Sequence, residues 1–183
     1  MTGYTHAAAG AFAGALAGKL TGDPIAGLAV GAVAALLPDI DHPGSLAGRR
    51  LRPLAVLLEL FAGHRTVTHT FWFCLLTGLI FGLLSSFLAP AIPSAAALLH
   101  LKIPLIVPSP WEAGLFALLG GLSHLALDAC TRSGVSPFAP LSLPGKLARL
   151  EHIKGPLKTG DPLTEWPACL LFAAAAFKAT GVL

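Results

Sequence analysis

Long apolar runs separated by short polar stretches predict a bundle of membrane helices. The clearest run covers residues 70–89 and contains no charged residue, which is about the length that a helix needs to cross a bilayer. The five predicted spans are residues 4–20, 24–38, 69–89, 111–130 and 167–183. We therefore predict an all-α, polytopic membrane helical bundle with about five transmembrane segments, within a range of four to six.

Three of these spans and one extra run differ from the rest. The first two spans are short and rich in alanine and glycine, which favours a tightly packed hairpin that barely crosses the bilayer. Lys178 interrupts the fifth span. The further apolar run at residues 53–62 is too short to cross, so it indicates an interfacial or a re-entrant helix.

The composition agrees with this pattern. Of the 183 residues 55% are hydrophobic and 11% are charged, and mean hydropathy is +0.75, whereas a soluble domain carries about 25% charged residues. No lysine or arginine precedes Lys19, so a removable signal peptide is not predicted. With no repeat or linker in the sequence, we expect one domain over residues 1–183.

The basic residues predict the orientation of the bundle. Nine of the twelve lie in the connections after the second and fourth spans. Lysine and arginine mark cytoplasmic loops, so both connections and the N-terminus are expected inside, and no nucleic-acid partner is expected. The nine are Arg49, Arg50, Arg52, Arg65, Arg132, Lys146, Arg149, Lys154 and Lys158.

Histidine and aspartate residues collect at the helix ends that this orientation places at the cytoplasmic surface. Such groups are costly in or beside a bilayer and mark functional sites. Because four helix ends carry them, they predict one shared site facing the cytoplasm. The residues are His6, Asp39, Asp41, His42, His64, His69, His124 and Asp128.

Helical spacing places several of these residues on faces made of small side chains. His6 is followed at intervals of four by Gly10, Gly14 and Gly18, a pattern by which membrane helices approach closely. The second and fourth spans repeat the pattern before Asp39 and before Asp128. His124 and Asp128, four apart, share a helix face and can close on one ion.

The HRTVTHT segment at residues 64–70 leaves two alternatives open. His64 and His69 are five apart and would diverge by roughly 140° on a continuous helix. Both can serve one site only if His64 precedes the helix, or if they bind different ions. Arg65 lies four residues before His69 and would share its face, so it is a candidate for holding an anionic oxygen.

The predicted ligand set contains imidazole and carboxylate groups without thiolate, which suits zinc, manganese or iron. It exceeds what one tetrahedral zinc needs, so one or two ions are expected, with Asp39 or Asp128 as a bridge. We predict Asp41 and His42 as base or as orienting groups. The predicted metal ligands are His6, Asp39, His64, His69, His124 and Asp128.

The segments PDIDH at residues 38–42, HRTVTHT at 64–70 and HLALDACTRSGVSPFAP at 124–140 together resemble the YdjM-like family of inner-membrane metal-dependent hydrolases. Its pattern runs LLPDxDH, HRxxTHS and HxxxDxxTxxGxxxLxP, with Thr70 here in place of the usual serine. The resemblance implies hydrolase activity and a metal at the histidine and aspartate positions.

The same order of residues is similar, more distantly, to zinc-dependent phospholipase C and the single-strand-specific zinc nucleases. That similarity implies His6, Asp39, one of His64 and His69, and the HxxxD pair as ligands. This chain lacks the N-terminal tryptophan that binds metal in those enzymes, and it lacks a second HxxxD.

The expected function is metal-assisted hydrolysis of an anionic phosphoester at the cytoplasmic surface of the inner membrane, on a soluble substrate or on a phospholipid head group. The first alternative is transport of a metal ion or a small solute, although transport sites usually lie near the midplane. The second is a non-catalytic protein in which metal staples the helix ends. The expected partners are membrane lipids, and the small-residue faces also allow a homodimer.

Overall fold

The structure, a computed structural model, describes residues 1–62, 67–98 and 107–181. These residues form six α-helices and no β-strand, so the all-helical class is confirmed. Two 3-10 turns, Pro38–Asp41 and Gly145–Leu150, lie between the helices. The helices are α1 (Gly3–Thr21), α2 (Pro24–Ala34), α3 (Arg52–Ala62), α4 (Phe71–Leu98), α5 (Pro110–Ala129) and α6 (Pro162–Thr180).

A tight turn joins α1 to α2. Gly22 ends α1 with a φ of 103°, a left-handed conformation that glycine adopts without steric cost. The Asp23 side chain then accepts a hydrogen bond from the Ala26 amide at 3.0 Å, and Pro24 occupies the first helical position, where its missing N–H is not needed. The chain therefore reverses within two residues and lays α2 along α1.

The facing glycine stripes bring α1 and α2 into backbone contact. A Cβ atom on Gly14 would overlap the carbonyl oxygen of Gly27, and one on Gly10 would overlap that of Gly31. Helix α5 joins the same contact, because a Cβ atom on Gly120 would also overlap the Gly31 carbonyl. The small residues therefore pack three helices at minimal separation.

The longest helix, α4, packs on the other side of α5 and departs from the prediction at its far end. It runs 28 residues to Leu98, past the predicted limit at residue 89, because the alanines at 95–97 favour helix. Residues 90–98, which lie between the third and fourth predicted spans, are therefore helical. The start at Phe71 lies close to the predicted start.

In the described part of the chain, two helical stretches are long and apolar enough to cross a membrane, residues 24–41 and 71–92. The structure thus supports a helical membrane protein, while the expected count of four to six spans stays a prediction. Helix α6 begins at Pro162 rather than at residue 167, because the side chain of Asp161 accepts a hydrogen bond from the Leu163 amide and caps the helix.

The segment between α5 and α6 is folded onto the predicted cytoplasmic end of the bundle. Two isolated β-bridges, Thr131 with Leu157 and Val135 with Ile153, tie it together. The Phe71 amide at the start of α4 donates to the Pro137 carbonyl at 2.7 Å. The segment therefore braces the helix ends where the predicted site residues lie.

Candidate metal centre

Five of the predicted metal ligands meet in the interior. His6 lies in the second turn of α1, Asp39 in the 3-10 turn after α2, and His69 in the turn that precedes α4. His124 and Asp128 lie on the last two turns of α5. The three histidines and Asp128 are fully buried, and the side chain of Asp39 is 14% exposed.

Four ligand atoms from four of these residues face one another. The Nε2 atoms of His69 and His124 are 3.2 Å apart. Oδ1 of Asp39 lies 3.3 Å from Nε2 of His69 and 3.7 Å from that of His124. Oδ2 of Asp128 lies 3.5 and 3.6 Å from the same two nitrogens. Two nitrogen and two oxygen ligands therefore surround one small space.

A backbone contact sets the proton on His124. Its Nδ1 lies 2.7 Å from the carbonyl oxygen of Ala35, at the end of α2. A carbonyl can only accept, so Nδ1 carries the hydrogen and donates it. In the neutral ring Nε2 then presents a lone pair to the centre, which is how a second contact commonly orients a metal-binding histidine.

A hydroxyl and a carboxylate set the proton on His69 in the same way. The Thr68 hydroxyl donates to Oδ2 of Asp41 at 2.5 Å, and the Thr68 oxygen lies 3.0 Å from Nδ1 of His69. Because the hydroxyl hydrogen points at Asp41, Nδ1–H of His69 is the donor to Thr68. Nε2 of His69 therefore also presents its lone pair to the centre.

His6 completes the buried group from α1. Its ring stacks on that of His124 with centroids 3.6 Å apart, and its Nε2 lies 3.3 Å from Oδ1 of Asp128. Within the described residues, neither ring nitrogen of His6 makes a contact with hydrogen-bond geometry. The amino group of Met1 contacts the same Asp128 oxygen at 2.8 Å. Oδ1 of Asp128 therefore faces His6, whereas Oδ2 faces His69 and His124.

These residues fit a metal ion. Two ligand atoms bound at 2.0–2.1 Å with a tetrahedral angle lie about 3.4 Å apart, close to the separations measured here. The donors form two groups, His6 with His124 and Asp128, and Asp39 with His69 and His124. In each group the ligand atoms lie within 4.8 Å of one another. Nitrogen lone pairs and carboxylate oxygens are both electron-rich, so they do not attract one another at this spacing. A cation between them would hold them together.

Four other predicted site residues have different outcomes. Asp41 is buried beside the centre, 3.9 Å from Nδ1 of His69, in a position to orient that ring. Nδ1 of His42 lies 3.6 Å from Oε1 of Glu59 of α3, and His42 lines a cavity beside Asp39 rather than the group of candidate metal ligands. His64 and Arg65 lie outside the described residues.

The helical geometry expected around His69 is wrong. Residues 67–70 form a turn, and α4 begins only at Phe71. The Thr70 hydroxyl accepts from the Phe73 amide at 3.2 Å and caps the helix, so His69 lies before the first turn. Because His69 is not in a helix, a spacing of four residues does not predict that Arg65 shares a face with it.

Sequence reasoning did not find Glu165, which holds the start of the chain over the centre. Its carboxylate accepts hydrogen bonds from the Thr2 amide, the Thr2 hydroxyl and the Thr5 hydroxyl, the shortest at 2.6 Å. Burial alone would raise the pKa of this carboxyl, but bonds from Thr2, Gly160 and Thr5 outweigh it and lower the pKa from 4.5 to about 2. No sequence motif marks Glu165.

Comparison with known proteins assigns the family. The profile described as YdjM inner membrane protein matches residues 1–182. The chain belongs to the YdjM family. It is 33% identical over 144 residues to YvsG of Bacillus subtilis (strain 168), which is described as uncharacterized, covering 78% of this chain and 76% of YvsG.

The inner membrane protein YdjM of Escherichia coli (strain K12) is 34% identical over 123 residues, covering 67% of this chain and 54% of YdjM. The chain therefore spans about half the length of that relative. YdjM of Shigella flexneri matches equally. These matches confirm the predicted family and the inner-membrane location. No solved structure matches the chain significantly.

Proposed function

We propose that this YdjM-family protein is a metal-dependent hydrolase that acts on an anionic phosphoester at the cytoplasmic surface of the inner membrane. One observation carries the proposal. Two imidazole nitrogens and two carboxylate oxygens face one another at 3.2 to 3.7 Å, and both nitrogens present lone pairs. That arrangement favours a divalent cation with nitrogen and oxygen ligands, such as zinc.

The first ion would be held by Asp39, His69, His124 and Oδ2 of Asp128. Oδ1 of Asp128 faces His6 and the amino group of Met1, so His6 and Asp128 would hold a second ion, and two-metal sites are common in phosphoester hydrolysis. A divalent ion there would supply Lewis-acid activation of water and would offset charge on the phosphoryl oxygens.

The chain's own groups would orient these ligands. Asp41 and Thr68 hold the Nδ1 side of His69, and the Ala35 carbonyl holds that of His124. Partners of this kind fix the ring and make the ligand nitrogen more basic. In this proposal Asp41 acts as a positioning residue, and burial of the centre excludes bulk water.

Metal content is the first test. Elemental analysis of the detergent-purified protein, prepared without chelators and reconstituted with zinc, is expected to give one or two ions per chain. A double variant with His124→Ala and Asp128→Ala is expected to lose them while retaining its helical circular dichroism. A wild-type protein that holds no stoichiometric divalent metal would refute the proposed mechanism.

A second variant separates catalysis from a structural role of the metal. In Asp41→Asn the carboxylate becomes a neutral amide of the same size, so metal content is expected to stay close to wild type. Hydrolysis of a chromogenic phosphodiester is expected to fall by about tenfold to a hundredfold. Metal retained in both proteins with no hydrolysis by either would favour the metal staple instead.

A further inference from the structure

A polar cavity adjoins the metal centre on the side of the Asp39 turn. It has a volume of about 390 Å³, within the range of small-molecule sites. Asp39 is shared between the cavity wall and the centre. The chain start contributes Tyr4 and its neighbours, and the loop after α2 contributes Ser45 and Arg49. A ligand in this cavity would therefore reach the metal ligands from one side.

The loop that carries Arg49 is tied to Asp39 by short hydrogen bonds. The Ser45 hydroxyl donates to the Asp39 carbonyl at 2.6 Å and accepts from the Gly48 amide at 2.8 Å. The Arg49 amide and its Nε both donate to the Ser45 carbonyl, at 3.1 and 3.3 Å. These bonds place Arg49 at the cavity wall with Nε bound to the loop, and the two terminal nitrogens of its guanidinium carry four further N–H donors.

Other basic side chains do not occupy equivalent positions. Arg49 and Arg50 are both exposed, but Arg50 does not line this cavity. Nε of Arg132 donates to the Pro156 carbonyl at 3.1 Å in the segment after α5. Among the described residues that line the cavity, Arg49 is the one lysine or arginine.

From this geometry we propose that the cavity is the phosphate subsite of the enzyme and that Arg49 binds the anionic oxygens of the substrate. The inference rests on the proposed function, because the metal ions offset the negative charge of Asp39 and so permit an anion beside it. The fork of a guanidinium matches phosphate in a bidentate contact, which a lysine cannot reproduce. The ligand is a phosphate or phosphoester anion, either soluble or part of a lipid head group.

The experiment measures binding of inorganic phosphate to the zinc-loaded protein in phosphatidylcholine nanodiscs, with metal content determined on the same samples. Arg49→Gln is expected to raise the Kd for phosphate at least tenfold with metal content unchanged. Arg49→Lys is expected to recover only part of the affinity. The matched control is Arg50→Gln, which removes the same charge one residue away and is expected to change Kd less than twofold.

Equal effects of Arg49→Gln and Arg50→Gln would overturn the inference, as would absence of phosphate binding by a wild-type protein that carries metal. In both cases the proposed metal centre would still stand. Failure of the wild-type protein to bind metal would instead refute the proposed function itself. The two failures are therefore distinguishable.

Competition for bound phosphate distinguishes a lipid phosphate from a soluble phosphoester as the natural ligand. Phosphatidic acid added to the nanodiscs is expected to displace bound phosphate if the cavity opens toward the lipid surface. Glycerol 3-phosphate in solution displaces it from either kind of cavity. Displacement by both supports a lipid phosphate, and displacement by the soluble ester alone supports a soluble substrate. Displacement by neither would overturn the inference.

Discussion

Two helix contacts surround the candidate metal centre, and they are built differently. Between α1 and α2 the glycine stripes touch backbone to backbone, so that a methyl group on Gly14 would overlap the Gly27 carbonyl. Between α4 and α5 the corresponding glycines leave more room. A Cβ on Gly114 would lie 3.1 Å from the Gly78 carbonyl oxygen. The first contact has no space for a Cβ atom on these glycines. In the second, a small shift of the neighbouring atoms would make space for one.

The difference shows that the ligands are positioned by two separate means. Backbone contact of α1, α2 and α5 sets the relative positions of His6, His124 and Asp128. His69 precedes α4, and its ring is set by Thr68 and Asp41 rather than by close helix packing. Substitutions in the two regions should therefore have different consequences.

The largest effect is expected from Gly14→Ala. The added methyl has no space against the Gly27 carbonyl, so α1 and α2 must separate, at a cost of about 3 kcal/mol. His6 would move away from Asp128. We expect a strong fall in the thermal unfolding midpoint in detergent and loss of bound metal by elemental analysis. A stable variant with full metal content would contradict the backbone contact.

The next effect tests the polar support of His69. Thr68→Val keeps the shape but removes the hydroxyl between Asp41 and His69, and loss of such a partner typically weakens metal binding by about tenfold to a hundredfold. Competition with a zinc chelator measures the affinity. The control is Thr77→Val, because that buried hydroxyl donates to the Cys74 carbonyl of its own helix, α4. Equal zinc affinities of Thr68→Val and Thr77→Val would contradict the role of the Thr68 hydroxyl in orienting His69.

Glu165→Gln tests how the chain start is held over the centre. At pH 7 the substitution replaces the charged carboxylate, which accepts these hydrogen bonds, with a neutral amide. This costs about 2 kcal/mol of stability. The folded pKa of Glu165 is about 2, below the ordinary value of 4.5, so the carboxylate stabilises the fold fully above pH 4.5. That contribution is lost as pH falls from 4.5 toward 2.

The difference in unfolding midpoint between wild type and Glu165→Gln should therefore be largest at pH 7 and smaller at pH 3. The control is Glu59→Gln, in which the exposed pair with His42 is lost; it is expected to change stability by less than about 1 kcal/mol. A difference for Glu165→Gln that does not change with pH would contradict the assignment.

The smallest effect is expected from Gly114→Ala in the looser contact. Alanine favours helix by about 1 kcal/mol over glycine, and the close approach of its methyl to the Gly78 carbonyl opposes that gain. Stability is expected to change by less than about 1 kcal/mol, with metal content unchanged. The measurement is the thermal unfolding midpoint of Gly114→Ala and of Gly14→Ala under the same conditions. Equal destabilisation of the two variants would show that the contacts do not differ.

Much of this arrangement is predictable from the sequence because it follows from local periodicity. Spacing by four placed His6 on the small face of α1 and put His124 and Asp128 on one face of α5. The position of His69 was not predictable from helical spacing, because a turn, capped by Thr70, holds it ahead of α4. The Thr68 link to Asp41 joins residues 27 apart, and periodicity carries no information about such contacts.

Arg49 and Glu165 show the same limit for long-range contacts. In the sequence Arg49 is one of three neighbouring basic residues that also report topology. Only the turn built by Ser45 distinguishes it, by placing it at the cavity that Asp39 shares. Glu165 resembles an ordinary acidic residue in the first turn of a helix. Its role depends on the chain start lying beside it.

The contact between Glu165 and the chain start also bears on the order of assembly. Thr2 and Glu165 are separated by 163 positions, and all the described ligands of the centre precede Glu165 in the chain. During synthesis the ligand-bearing helices would therefore emerge before the residue that fastens α1 over them. The candidate ligands are therefore all synthesised before α6, and the contact between the chain start and Glu165 can form only once α6 has begun to be made.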